Sequence, residues 1–463
     1  MPAIRQADKM HVVIVGAGEV GWYLAQRLGA EGHDVVVIEQ NEAIASAIAA
    51  QLDVQVVVGS ATLPSTLKAA RIDRADLLAG VTQNDEVNLI ASLLAKEAGV
   101  PQTVVRIQTE ELREESGARL REIMQADVVI DPDADTADEI MALTQASGAD
   151  EVYQMSGGDL LVLGCTIGEG AALAGSTLAE IGASFEPDWR FLFGALTRNG
   201  ETVIPRGDQR LEAGDHVRVL TDRKSRNEIL ELLGASHQRA QRVMVLGGGA
   251  VGTRVAERLE AAGADVVLVE QDIERARVLS AKLPRVTVVQ GDIEDTDMLN
   301  EESITDKDLV IAATGDDAAN VLACAFAATG RNTFTVAVIH RLSLLPLVRQ
   351  FGIDAALSPR TASANAVLRH VRGGTASVAT FLESDIEVDE IQIEANSEAD
   401  GAVVAELHLP HSIVLGAVIR PGEAGRIVRG NTILHAGDNV VVFARPDSLP
   451  ALRRAFTSGM DHR

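Results

Sequence analysis

Val12-Val13-Ile14-Val15-Gly16-Ala17-Gly18-Glu19-Val20-Gly21 decides how this chain is read, because the chain holds the pattern twice. At the head of the second half stands Val243-Met244-Val245-Leu246-Gly247-Gly248-Gly249-Ala250-Val251-Gly252. Each copy is an apolar run without polar alternation, as a doubly buried parallel strand requires. Each run leads through Gly-x-Gly-x-x-Gly into an apolar-periodic helix. The first glycine allows a tight turn, the second lets a pyrophosphate approach the backbone, and the third lets helix pack on strand. The helix N-terminus then offers N–H groups and a partial positive charge to a phosphate.

The next strand of each half strengthens the reading. Asp34-Val35-Val36-Val37-Ile38-Glu39 ends 18 residues past Gly21 (39 − 21), and Asp265-Val266-Val267-Leu268-Val269-Glu270 ends 18 past Gly252 (270 − 252). An acid at about that distance reaches the ribose hydroxyls of a dinucleotide. A bare strand–turn–helix with a solvated glutamate is the plainer alternative, but the same spacing twice argues against coincidence.

The two halves keep an offset near 231 residues, the value found from Val12 to Val243 and from Glu39 to Glu270. In the first half, Asn41 to Gln51 is helical with Ile44, Ile48 and Leu52 in period. Strands follow at Val54–Ser60, Asp76–Thr82, Thr103–Ile107 and Asp127–Pro132. A short helix is expected at Thr62–Ala70, and a longer one at Asn84–Ala98 with Val87, Ile90, Leu93 and Leu94 inward. The second half repeats the strands at Val286–Asp292, Asp308–Thr314, Thr333–Ile339 and Ile353–Pro359, and Asp317 to Asn320 aligns with Asp85 to Asn88. Strands alternating with helices demand a parallel, doubly wound sheet.

Glu151–Arg223 and the last quarter read differently, as short β segments broken by Gly. Val203–Leu220 and Ile427–Phe443 each read as strand, polar turn, strand, Gly-Asp turn, strand, the turns falling at Gly214-Asp215 and Gly437-Asp438. Asp133–Ala149 and Arg360–Gly374 look helical and suited to cross between neighbours. The fold class expected is α/β, two Rossmann-like doubly wound parallel-sheet domains, each followed by a small α+β domain. The boundaries are 10–135, 150–235, 241–362 and 380–463.

Composition narrows the function. A chain of 463 residues suggests about three or four domains. Cys165 and Cys324 have no partner at metal or disulfide spacing, so a reducing compartment is the default. Met1–Met10 has no apolar core of a signal peptide, and no apolar run reaches the ~20 residues that span a bilayer. A cytosolic protein is expected. The net charge of −26, with 6 lysines against 35 arginines, opposes nucleic acid and anionic lipid alike.

Candidate ligand residues in the first half are Gly16, Ala17, Gly18, Glu19, Val20, Gly21, Glu39, Ser60, Thr82 and Arg106. In the second they are Gly247, Gly248, Gly249, Ala250, Val251, Gly252, Glu270, Asp292 and Thr314. Strand C-termini line the crevice where open parallel sheets bind ligands. Glu39 and Glu270 would repel a 2′-phosphate, which favours NAD or an adenine nucleotide over NADP. Arg106 is placed to reach a phosphate, or equally to pair at the surface with Glu110. The second half has His340 and Arg341 nearby instead.

Catalytic groups and metal ligands are not evident. His408 and His411 lack a third partner and read as a solvated loop. Asp131-Pro132-Asp133-Ala134-Asp135 lacks the glycine and distal glutamate of a calcium loop and reads as a turn before a helix N-terminus. Two complete dinucleotide domains, each followed by a module too small for a substrate site, favour nucleotide sensing over hydride transfer.

On these residues the sequence resembles the TrkA-type regulatory subunits of bacterial Trk potassium-uptake systems, whose unit is the RCK domain, a Rossmann-like N-lobe followed by a C-lobe. The resemblance runs from about Met10 to Phe456 and rests on the two glycine turns with Glu39 and Glu270 and on the two Gly-Asp turns. It implies NAD(H) and/or ATP/ADP as regulatory ligands. It also implies a homodimer or homotetramer under an integral membrane potassium transporter or channel subunit of the TrkH/TrkG kind, the chain being peripheral on the inner face of the membrane. Gly291-Asp292 keeps the family's Gly-Asp loop, whereas Gly59-Ser60 replaces the acid. The other classes weighed are an NAD-dependent oxidoreductase and a nucleotide-responsive regulator of another cation transporter.

Overall fold

The computed structural model describes residues 9–113, 115–155, 158–187, 189–235, 240–330, 332–371, 378–380, 386–420 and 422–458. The first sheet is built of β1 (His11–Val15), β2 (Asp34–Glu39), β3 (Gln55–Val58), β4 (Leu77–Gly80), β5 (Gln102–Arg106) and β6 (Val128–Ile130). Its order is β3-β2-β1-β4-β5-β6 and every neighbouring pair is parallel. β1 is buried at all five positions, Val12–Val15 as their apolar run demands and His11 as a buried polar residue before them. The strand order reverses between β1 and β4, so a crevice opens at their C-terminal ends.

A five-stranded antiparallel sheet follows, of β7 (Glu151–Met155), β8 (Leu160–Thr166), β9 (Phe191–Arg198), β10 (Glu201–Val203) and β11 (His216–Asp222), in the order β10-β9-β11-β8-β7. The second parallel sheet comprises β12 (Arg242–Leu246), β13 (Asp265–Glu270), β14 (Thr287–Gln290), β15 (Leu309–Ala312), β16 (Phe334–Val338) and β17 (Ala355–Leu357). Its order, β14-β13-β12-β15-β16-β17, repeats the first, and so does its register: His11 opposes Asp34 as Arg242 opposes Asp265. The chain closes with β18 (Val378–Thr380), β19 (Glu387–Gln392), β20 (Ile413–Ile419), β21 (Arg426–Ile427) and β22 (Asn439–Ala444), ordered β18-β19-β22-β20-β21.

The chain divides into two compact units. One comprises the described part of Met1–Asp135 with Pro359–Ala376, the other Thr136–Ser358 with Ser377–Arg463. The segments expected to link neighbours are helices Pro132–Gln145 and Pro359–Val371, with 372–374 of the expected second helix outside the described residues. In the first unit, Ala364, Val367, Leu368 and Val371 share a core with Leu24 and Leu28 of helix Glu19–Ala30. In the second, Ala137, Ile140 and Leu143 share a core with Val243, Val251 and Val255. Each parallel sheet is therefore covered by the helix that follows the other sheet in sequence.

Three expectations are corrected. The buried face of helix Asp85–Glu97 is Asp85, Asn88, Leu89, Ala91, Ser92 and Ala95, whereas Val87, Ile90, Leu93 and Leu94 are half-buried, Val87 and Leu94 still packing against the core from its margin. Asn88 sets that rotation, because its amide is bonded to backbone on the sheet. The segment before each Gly-Asp turn is not a ladder strand: Arg210 and Ile433 make isolated bridges to Thr177 and Val403. Leu211 N–H donates to Ser176 and Gly175 N–H to Leu211, so the local loop takes these groups from the sheet. Finally, β6 ends at Ile130, because Asp131 Oδ1 accepts the N–H groups of Asp133 and Ala134 and starts the next helix there.

The two antiparallel sheets meet in the second unit. Met155, Leu160, Val162, Ala195 and Leu220 share a core with Ile386, Val388, Ala417, Val441 and Phe443. The contact obeys the repeat. β9 carries a bulge at Gly194, which opposes no residue of β11, and β20 carries one at Gly416 against β22. The ring of Phe443 packs on Gly194, and Leu220, which holds Phe443's place in the other lobe, packs on Gly416.

Candidate functional site

At the head of the first sheet, Gly16 turns the chain with φ +100 while its N–H donates to Ile38 O at 2.8 Å. Helix Glu19–Ala30 starts immediately beyond, with Gly18 as an N-cap that supplies no side-chain bond. Its first-turn N–H groups therefore point toward the crevice, as helix geometry requires. The third glycine of the motif is forced by packing: a Cβ on Gly21 would stand 1.8 Å from Gly16 O, and one on Gly252 1.9 Å from Gly247 O.

Glu39 and Glu270 lie at these turns and have a backbone task there. Glu39 accepts the N–H of Ala17 and of Asn41, both at 2.8 Å, one on each carboxylate oxygen. Glu270 does the same with Gly248 at 3.0 Å and Asp272 at 2.9 Å. Each carboxylate pins the turn to the end of the second strand and keeps further lone pairs for a ligand hydroxyl.

Thr82 and Thr314 end the fourth strand of each sheet. Thr82 hydroxyl donates to Asn88 Oδ1 at 2.7 Å, and the Asn88 amide donates to Thr82 O and Arg106 O. Thr314 and Asn320 repeat this, with Val338 O in place of Arg106 O. Asn88 and Asn320 thus fix the floor of both crevices; their identical offset from the paired threonines is the signal that marks them in the sequence. The Ser60 and Asp292 difference is smaller in structure than in sequence. Ser60 Oγ accepts Thr62 N–H, and Asp292 Oδ1 accepts Glu294 N–H, so both close the same turn.

The first crevice has a volume of about 560 Å³. Gly16, Gly18, Glu19, Glu39, Ser60, Thr82 and Arg106 line it together with Ile44 and Arg360. Nine of the ten residues predicted in the first half lie on this lining or, for Ala17, in direct bond to it; Gly21 sits behind, as a packing residue. Arg106 is not a surface arginine, being 7% exposed, and Glu110's side chain lies outside the described residues. Its Nε is buried without a hydrogen-bond partner. Burial pulls the Arg106 pKa down, Asp133 and Asp85 pull it up, and Arg360 adds like-charge repulsion. Arg360 reaches the crevice from helix Pro359–Val371 and pairs with Glu19. It was not legible in the sequence, because it comes from the far half of the chain.

The second turn is furnished otherwise. Arg275, at the place of Ile44 by the 231-residue offset, donates to Gly248 O at 2.7 Å and lies 3.8 Å from Glu270. His340 and Arg341 do not replace Arg106, since both bind Asp317 through backbone and side chain. Burial pushes the Asp317 carboxyl up, but these four donors more than offset it and hold it below its ordinary 3.8. A depressed folded pKa means stability that is full above the ordinary value and lost as pH falls through the folded one. Asp317→Asn should lower stability by about 1–3 kcal/mol at neutral pH. In urea titrations the gap to the parent should close as pH drops below 3.8.

Asp150, Glu151 and His216 bring carboxylate and imidazole atoms within 4.8 Å of one another. Arg218 donates to both oxygens of Glu151 at 2.8 and 2.9 Å, and His216 Nε2 lies 2.9 Å from Asp150. The buried guanidinium supplies the positive charge the carboxylates need, which makes the group a structural network of the antiparallel sheet.

Two parallel sheets of one switch-point topology, each followed by an antiparallel module, define an RCK-type architecture. The TrkA-N domain matches residues 12–132 and 243–359, and the TrkA-C domain residues 162–234 and 388–457. The chain belongs to the TrkA family of Trk system potassium uptake proteins. The TrkA homolog of Archaeoglobus fulgidus is 32% identical over 447 residues, covering 96% of this chain and 100% of that protein. TrkA of Azorhizobium caulinodans is 31% identical over 458 residues, covering 98% and 100%. Among solved structures, the GsuK RCK domain superposes with a TM-score of 0.56 at 18% identity over 98% of this chain and 96% of that one. The GsuK channel bound to NAD gives 0.57 at 18% identity over 98% and 80%. At that identity the likeness speaks for the fold. Among the described residues no helix is long and apolar enough to cross a membrane.

Proposed function

We propose that this chain is a non-enzymatic regulatory subunit that binds NAD(H) and/or ATP/ADP and gates an integral membrane potassium transporter of the TrkH/TrkG kind. The observation that carries the reading is the duplicated crevice, in which a glycine turn, an uncapped helix start and a clamping glutamate recur at one offset. The reading is supported by relatives that are potassium uptake proteins and by a structural neighbour, the GsuK channel, that binds NAD. Four lobes, 10–135, 150–235, 241–362 and 380–463, alternate between nucleotide binding and assembly. Two or four copies form the working unit in the cytoplasm, held at the inner face of the membrane by the partner.

The ligand is read and released rather than consumed, so prolonged incubation with NADH or ATP should return it unchanged. Turnover above a protein-free control would overturn that part. Glu39→Ala and Glu270→Ala should each weaken binding at their own crevice by about one to two orders of magnitude, since each removes charge-assisted bonds of roughly 1.5–3 kcal/mol. Calorimetric titration of NADH and ATP, beside potassium uptake in cells lacking the native subunit, checks this. Full affinity and stoichiometry in both variants would refute the site assignment.

A further inference from the structure

The two crevices share a backbone frame but not their charges. In the first, Glu19 stands in the opening turn of helix Glu19–Ala30 and pairs across the crevice with Arg360. Behind them Arg106 is 7% exposed, its Nε without a partner, on the same lining. At the offset of 231, Ala250 holds the place of Glu19, and at an offset of 232 Asn320 bonds Val338 where Asn88 bonds Arg106. The second crevice has neither group.

We propose that Glu19 and Arg360 form a latch across the first crevice that a nucleotide with a free terminal phosphate opens, Arg360 passing from the Glu19 carboxylate to the phosphate beside Arg106. The inference rests on the nucleotide reading above and adds which ligand group acts and on which residues.

Three physical arguments support it. A guanidinium prefers a doubly charged, multi-oxygen phosphate to a single carboxylate, and it binds either bidentately. Arg106 and Arg360 lie close enough to repel each other, so an anion between them relieves both. Burying the Arg106 Nε without a partner costs free energy that a phosphate oxygen would recover. Glu19 opposes this binding twice: it occupies Arg360, and it places a negative charge at the helix N-terminus where the ligand arrives. Release of Arg360 acts on helix Pro359–Val371, which packs against helix Glu19–Ala30 and follows directly on β17 of the second sheet.

The test is calorimetric titration of the full chain with ATP and with AMP, fitted to two sites. In the parent, one site should prefer ATP over AMP more strongly than the other. Arg360→Gln should lower that site's preference about tenfold or more, and Arg360→Lys should restore part of it. Glu19→Gln should strengthen ATP binding there by about threefold or more, because the competitor is gone. Preferences within about twofold of the parent in Arg360→Gln, or weaker ATP binding in Glu19→Gln, would overturn the latch while leaving the nucleotide sites standing. A parent that binds neither ATP nor AMP would remove the nucleotide reading and the latch together. If Arg360→Gln fails to fold by circular dichroism, Arg360→Lys and Glu19→Gln decide the matter.

Discussion

Gly21→Ala and Gly252→Ala are each expected to remove nucleotide binding at one crevice, by about a hundredfold or more in affinity, and to halve the stoichiometry of the full chain. The cause is geometric. An added Cβ would lie 1.8 or 1.9 Å from the carbonyl oxygen of the turn glycine, and that atom is backbone, not the end of a flexible side chain. Helix and strand must separate by more than an ångström, which pulls the first-turn N–H groups away from where a phosphate sits. Gly18→Ala separates this packing role from a ligand role. Gly18 has φ −65, open to any residue, and its Cβ would meet nothing within 4 Å. Stability should therefore stay within about 0.5 kcal/mol of the parent while affinity at the first crevice falls, because the new methyl stands where the ligand approaches. Calorimetry beside thermal unfolding reads both quantities. Equal losses of affinity and stability in Gly18→Ala would mean that this glycine is structural after all.

The contrast explains what a sequence can and cannot carry. The parallel sheets were legible because doubly buried strands leave unbroken apolar runs, and because an offset near 231 residues let each half check the other. The glycine turns and Glu39 and Glu270 were legible as a motif, but the glutamates' bonds to Ala17 and Gly248 N–H were not, since spacing says nothing of where a carboxylate turns in an empty site. Ser60 replaces the acid of Asp292, yet an oxygen of each closes the same turn, which the residue types alone do not tell. The inward face of Asp85–Glu97 was misread because hydrophobicity ranked Leu93 above Asn88, while the structure ranks a satisfied buried amide first. Arg360 lies 341 residues beyond Glu19 (360 − 19), and no local pattern joins them. Local readings fail at such places because tertiary contact, not period, decides them.

Gly194→Ala is expected to be strongly destabilising in the core shared by the two antiparallel sheets. Gly194 is the bulged residue of β9, and a Cβ there would lie 2.2 Å from two ring atoms of Phe443. Phe443 is fully buried in the core shared by the two antiparallel sheets, with Val388, Val441 and Leu220 around it. The ring cannot turn aside into solvent, so either it leaves its rotamer or the sheets move apart. Overpacking of this kind costs typically 1–3 kcal/mol, and partial loss of a buried phenyl adds to it, giving about 3 kcal/mol or more. Trimming the ring should relieve the clash: the pair Gly194→Ala/Phe443→Leu should be less destabilised than the sum of its single changes by about 1–2 kcal/mol. Gly416 provides the internal comparison, because its Cβ would meet Leu220 Cδ2 at 2.6 Å, and a leucine has rotamers a ring lacks. Gly416→Ala should therefore cost less than Gly194→Ala. Urea midpoints followed by circular dichroism give all four values. If Gly194→Ala matches the parent, or the double variant is simply additive, the two bulges do not hold the lobes together in the way this packing requires.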